Sequence, residues 1–275
     1  MPALAEAPRR WVDLRARVLS AAVLAPLVLA CVWHGGWPFL ILMVAAALGL
    51  AVEWGRLAGW RDTGPATLAL AATAIGAVVA ASLDHGRATL LVLLAGAAAI
   101  AVLGRGERRW IGLVGVPYVA GGAAALAWLR ADDQAGWPDL LFLMLLVWAS
   151  DIGAYMVGRW VGGPKLAPSI SPNKTWSGAV GGLVVAVAVA LVTCFVIQAP
   201  GSVIGSAVMA AMLGIVAQAG DLFESAVKRQ VGAKDSGHLI PGHGGLLDRL
   251  DALLAAAPVA ALLALAAGRG VVLWE

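Results

Sequence analysis

The chain has 275 residues, 61% of them hydrophobic and 13% charged, and its mean hydropathy is +0.88. Soluble domains carry about 25% charged residues, so the composition excludes a water-soluble globular protein and points to an all-α, polytopic integral membrane protein. The net charge of +3 reflects how basic loops orient such a chain and is no evidence for a nucleic-acid partner.

Apolar runs over 18–33, 37–55, 66–83, 88–104, 111–129, 139–158, 177–198, 203–222 and 252–267 are long enough to cross a hydrocarbon core of roughly 30 Å as helices. Cytoplasmic loops collect Lys and Arg. With the amino terminus inside, sixteen of the nineteen basic residues fall in inner segments, and only Arg87, Arg130 and Arg269 lie outside. Adding or removing one span scrambles that alternation. The reading is therefore about nine transmembrane helices, with the N-terminus cytoplasmic and the C-terminus outside.

In chain order, residues 1–17 form a basic N-terminal cytoplasmic segment with Pro2, Pro8 and four arginines. Residues 18–130 form membrane scaffold helices. Their one notable acid, Glu53, is expected to cap against Arg56 or to snorkel. Trp33, Trp37, Trp54, Trp60, Trp110, Trp137, Trp160 and Trp176 fall near span ends, where an interfacial belt of amphipathic rings is expected. Cys31 and Cys194 offer neither a disulfide framework nor a metal-ligand spacing and read as packing residues.

Residues 131–275 hold the chemistry, with polar inner loops over 159–176 and 223–251. In span six, Trp148, Asp151, Tyr155 and Arg159 recur on one helical face. Asp151 is either a helix-pairing ion partner or part of a working site, since acids at membrane depth are rarely idle. The loop that follows runs from Gly162 through Lys165, Ser171, Pro172, Asn173, Lys174 and Thr175 to Gly178. Pro172 with the Ser171 or Thr175 hydroxyl marks a helix start. Its N–H groups and Lys174 could receive an anion, or form only a cap with a snorkelling lysine. The spacing is not that of a Walker A loop.

Span eight carries a polar stripe, Gly214, Gln218, Asp221, Ser225 and Lys228, flanked by Glu224 and Arg229. Beyond it come Lys234, Asp235, His238 and His243 among glycines, and then Asp248, Arg249 and Asp251 re-enter the membrane. Asp221 and Asp248 are expected to meet at one depth. Paired acids beside Lys and Arg suit phosphoryl or nucleotidyl transfer, with carboxylates for Mg²⁺ and cations for the remaining phosphate charge. No Ser-His-Asp or zinc pattern competes, and the two histidines read as hydrogen-bonding loop residues.

Taken together, Ser225, Lys228, Arg229, Lys234, Asp235, Pro241, His243, Gly244, Gly245, Asp248, Arg249 and Asp251 resemble the signature of the phosphatidate cytidylyltransferases, or CDP-diacylglycerol synthases. The stretches from Asp151 to Tyr155, Ser171 to Thr175 and Gly220 to Ser225 are similar as well, so the likeness is strong over roughly 140–255. The resemblance implies transfer of the cytidylyl group of CTP to phosphatidic acid at the inner leaflet of the plasma (inner) membrane, with the active site facing the cytoplasm. It implies Mg²⁺, K⁺ as a candidate second metal, and a homodimer. Carried over, Asp221 and Asp248 are metal ligands, Lys228 and Arg229 phosphate-binding cations, and Ser225 a polar contact. Ser171, Lys174 and Asp151 complete the cavity, and Lys234, Asp235, His243, Arg249 and Asp251 fall on substrate-binding signature positions. A polyprenol kinase or an ether-lipid cytidylyltransferase is the neighbouring enzyme reading. A transporter using Glu53, Asp151 and Asp221 as an ion path is the reading from another class, against which stands the confinement of the polar cluster to one half of the chain.

Overall fold

The computed structural model describes residues 7–106, 108–196, 202–240 and 242–268, with side chains from Val18 onward. Pro2 and the side chains of Pro8, Arg9, Arg10, Arg15 and Arg17 lie outside the described residues. So do residues 197–201, Pro241 of the signature, Arg269 and the carboxyl terminus.

Among the described residues the helices are α1 Ala7–His34, α2 Gly36–Leu57, α3 Pro65–Ser82, α4 Gly86–Leu103, α5 Arg109–Arg130, α6 Gly136–Val161, α7 Trp176–Val196, α8 Val203–Gln230 and α9 Leu247–Ala267. Eight are long and apolar enough to span a membrane, and α1 adds a shorter apolar stretch, Val18–His34. Lipid offers the backbone no hydrogen-bond partner, which is why apolar spans close all their bonds internally as helices. Pro117 has no N–H to give, and around it α5 loosens into a π turn, Val116–Gly121.

The loop after α6 is more ordered than its sequence suggests. Gly162 and Gly163 take φ of 66° and 104°, values open to glycine, and turn the chain into a small antiparallel hairpin. Its strands are β1 Lys165–Ala167 and β2 Ser171–Thr175, with Lys165 opposite Thr175 and Ala167 opposite Ser171. Strands this short, carrying Pro172 and Asn173, show no alternation to detect. Thr175 then caps α7, its Oγ1 accepting from Gly178 N at 3.1 Å. Of the two hydroxyls expected there, Thr175 is the cap and Ser171 stays in the strand.

Small residues set the packing around this hairpin. A Cβ on Gly158 would sit 2.9 Å from Thr175 Oγ1 and 3.2 Å from Gly178 Cα, and one on Gly182 2.5 Å from Ser150 O. The absent side chains let α6 and α7 approach backbone to backbone, as small residues do in membrane helix pairs. Helix α8 packs on α7 and α9, and α9 on the second half of α5.

Three helix ends lie more than three residues from the expected spans, α1 beginning already at Ala7. Helix α8 runs to Gln230, and α9 begins at Leu247. Asp221 therefore stands about 27 Å along α8 and Lys228 about 38 Å along it at 1.5 Å per residue. Trp54 leaves the expected belt altogether. It is fully buried, donates from Nε1 to Ile111 O at 2.8 Å, and clusters with Tyr118 and Phe223 at ring-centroid distances of 5.2 and 6.4 Å. Trp33, Trp37, Trp110, Trp137, Trp160 and Trp176 are exposed, as a belt requires.

Candidate active site

Helices α6, α7 and α8 and the hairpin enclose a cavity of about 680 Å³. The face read from span six supplies Asp151, Tyr155 and Arg159, the hairpin supplies Lys165, Asn173 and Lys174, and α8 supplies Gln218 and Asp221. Three cations thus stand around two carboxylates. Lys174 Nζ lies 2.5 Å from Asp221 Oδ2, with each side chain close to 30% exposed. A pair that open is worth about 0–1 kcal/mol, so either charge can exchange its partner for a ligand at little cost. Gln218 anchors the floor, donating from Nε2 to Ser150 Oγ at 3.1 Å and Ala179 O at 3.0 Å. Asp151 has no salt bridge among the described residues, and the helix-pairing reading of it gains no partner. Instead it faces the cavity within electrostatic range of Asp221 and Lys174.

One to two turns further along α8 the chemistry changes character. Lys228 Nζ lies 2.7 Å from both Glu224 Oε2 and Asp248 Oδ1, and Glu224 is fully buried. Glu224 Oε1 finds no hydrogen-bond partner among the described residues. Asp248 also accepts from Gly245 N at 2.9 Å and from Ser236 N at 3.2 Å. A Cβ on Gly245 would stand 3.0 Å from Asp248 Oδ2, so the signature glycine lets its backbone reach the acid. From the far side, Glu53 accepts from Leu246 N, Leu247 N and Ser236 Oγ. The expected partner Arg56 turns away and pairs with Asp62 at 2.7 Å. Removing one member of such a buried set costs about 3–5 kcal/mol, because the remaining charges stay desolvated.

The other expected residues take up places around these two groups. Ser225 Oγ lies 3.5 Å from Asp221 Oδ1. Asp251 stands one turn beyond Asp248 on α9, its Oδ1 accepting from Ala252 N, and within electrostatic range of Asp221 and Asp151. Arg229 spans two backbones, donating to Ile170 O at 3.1 Å and Ala233 O at 3.2 Å, and so straps the hairpin turn to the end of α8. His243 Nδ1 meets Ser20 Oγ of α1 at 2.9 Å, and Arg249 donates twice to His243 O. Lys234 and Asp235 are exposed. Among the described residues, Ser171, Ser225, Lys228, Arg229, Lys234, Asp235, His243, Asp248, Arg249 and Asp251 do not line the cavity.

Ser236 and Tyr118 also hold the site together, though no motif in the sequence marks them. Ser236 clamps two acids at once, yet it is a lone serine in a glycine-rich loop. Tyr118 donates to Asp251 O at 2.9 Å, which ties α5 to α9. A hydroxyl inside an apolar span beside a proline was the available signal.

Mg²⁺ takes one or two carboxylates and completes its shell with water and substrate phosphate. Asp221 fits that demand, being a cavity-facing acid held by a partly exposed lysine and a long contact from Ser225. Asp248 fits it less directly, since Lys228, Ser236 and Gly245 already engage its oxygens. No group of three or more candidate metal ligands occurs among the described residues.

A helical membrane protein whose cavity of about 680 Å³ is lined by three cations and two carboxylates has the charge and the volume of a site for a phosphate-bearing small molecule. Comparison with known proteins narrows this. The Cytidylyltransferase family matches residues 15–266, and the chain belongs to that family. It is 44% identical over 246 residues to a phosphatidate cytidylyltransferase of Brucella suis, covering 89% of this chain and 91% of that protein. A phosphatidate cytidylyltransferase of Pseudomonas aeruginosa is 38% identical over 277 residues, covering 94% and 99%. One from Bacillus subtilis is 43% identical over 130 residues, about half of each chain.

Proposed function

We propose that the protein is a nucleotidyltransferase that joins CTP to phosphatidic acid, giving CDP-diacylglycerol and pyrophosphate. The observation that carries this reading is that the cavity's charged lining and the buried Lys228 group both lie within the region that the family match spans.

The lipid phosphate is a monoester whose second pKa of about 6 leaves it largely ionised at neutral pH, so its oxygen needs no general base. That oxygen attacks the α-phosphorus of CTP. The bond to the bridging oxygen of the β-phosphate breaks, and pyrophosphate leaves. The obstacle is one anion approaching another, and preorganised cations relieve it. Lys174, Lys165 and Arg159 supply that charge from the cavity wall. Lys228, buried between two carboxylates, is held in place near the end of α8. Asp221, with Asp248 as the second candidate ligand, would hold Mg²⁺, which when bound neutralises triphosphate charge; K⁺ is the candidate second metal.

The site is proposed to face the cytoplasm from the inner membrane, because sixteen of the nineteen basic residues fall on one side of the alternating spans and basic loops stay inside; a homodimer is proposed as well. Sealed vesicles of known orientation test the side, since only those with the cytoplasmic face outward should use added CTP. Cross-linking in native membranes tests the dimer, and a monomer at all cross-linker doses contradicts it.

Labelled CTP tests the activity. With purified protein, phosphatidic acid and Mg²⁺, label on the α-phosphorus should enter the lipid and label on the γ-phosphorus should leave as pyrophosphate. Lipid labelled from the γ-position would instead mean a kinase.

A further inference from the structure

We propose that Glu53, in the part of the chain that otherwise serves as scaffold, is a positioning residue for the transfer reaction. It fixes the first turn of α9 and the loop before it, and so determines where Asp248 holds Lys228. The inference rests on the activity proposed above.

Glu53 is completely buried. A carboxylate at such a site is very costly unless its charge is answered, and no cation answers it by a salt bridge among the described residues. Three hydrogen-bond donors do so instead. Oε1 accepts from Leu246 N at 3.0 Å, and Oε2 from Leu247 N at 2.7 Å and Ser236 Oγ at 3.3 Å. Leu246 and Leu247 open α9, where N–H groups lack partners within the helix and an anion is favoured by the helix dipole. The acid thus caps α9 from another helix, 193 residues away along the chain.

The surroundings are shaped to this contact. Gly237 has room for no side chain, because a Cβ there would stand 2.5 Å from Glu53 Oε1. One turn earlier on α2, a Cβ on Gly49 would come 3.1 Å from Leu246, so a bare patch of α2 receives the loop. Asp248 directly follows the two residues that Glu53 holds. Ser236 is gripped from both sides, its hydroxyl by Glu53 and its N–H by Asp248. Any displacement of Glu53 therefore passes to Asp248 and to Lys228.

The test compares Glu53→Gln and Gly237→Ala with the parent in detergent. Glu53→Gln keeps the size but turns an amide N–H₂ toward groups that themselves donate. Gly237→Ala keeps the acid and pushes it from the opposite side. A small misplacement of a reacting constellation can lower the rate by about 100-fold. Both variants should lose kcat to about that extent per folded molecule, with KM for CTP within about threefold, the pattern of an interaction made in the transition state. Amide hydrogen exchange should quicken over 236–247 and stay unchanged over the hairpin 165–175. Should Glu53→Gln fail to fold, Gly237→Ala decides. Parent-like kcat in either folded variant overturns the inference, as does lost kcat with unchanged exchange over 236–247. An inactive parent contradicts the proposed function instead, and the exchange comparison still reports whether Glu53 holds the loop.

Discussion

The two charged groups on α8 sit about two turns apart and are built in opposite ways. At Asp221 the acid meets a single half-exposed lysine across an open cavity. At Lys228 the cation lies between the buried Glu224 and the partly buried Asp248, and Asp248 is held by backbone N–H groups in turn. Under the proposed reaction the open group would change partners when phosphate arrives, because little is lost. The closed group would keep its partners and offer charge in a fixed place. A site that must bind a mobile triphosphate and also hold a developing charge needs both kinds.

The contrast breaks most visibly at its closed end. Lys228→Met leaves Glu224 and Asp248 buried without their cation, so thermal unfolding in detergent should report a loss of about 3–5 kcal/mol together with lost turnover. At the open end, Lys174→Ala removes one charge-assisted contact to phosphate, worth about 1.5–3 kcal/mol. Steady-state kinetics should show KM for CTP raised about tenfold or more, with the melting temperature unchanged within error.

Smaller effects sharpen the boundary between the two groups. Tyr118→Phe removes the hydroxyl from Asp251 O, a bond worth about 0.5–1.5 kcal/mol, and should lower stability by that amount while sparing most turnover. Arg229→Lys cannot span Ile170 O and Ala233 O with one fork. It should speed exchange in the hairpin and change kcat only a few-fold.

How much of this could be read beforehand divides along the same line. The spans were legible because apolar length is a strong signal, and Asp221, Lys174 and Asp151 were legible because charges in such spans stand out. The partners were not. Spacing led to the expectation that Asp221 and Asp248 meet, but they sit in separate groups, Lys174 pairing with one and Lys228 with the other, and those pairings depend on a hairpin and a loop that carry no periodic pattern. Glu53 was visible as an acid beside Arg56, but its true partners are backbone N–H groups nearly two hundred residues away. Backbone donors leave no mark in a sequence. Arg229 was legible as a cation and not as a strap, for the same reason.

The most direct measurement pairs turnover with thermal stability in Asp221→Asn and Asp248→Asn, using labelled CTP and phosphatidic acid. Turnover should fall by about 100-fold or more in both. Stability should fall by about 3 kcal/mol in Asp248→Asn alone and by less than about 1 kcal/mol in Asp221→Asn. Near-parent turnover in Asp221→Asn, or equal destabilisation of the two variants, would contradict the division into an open and a closed half.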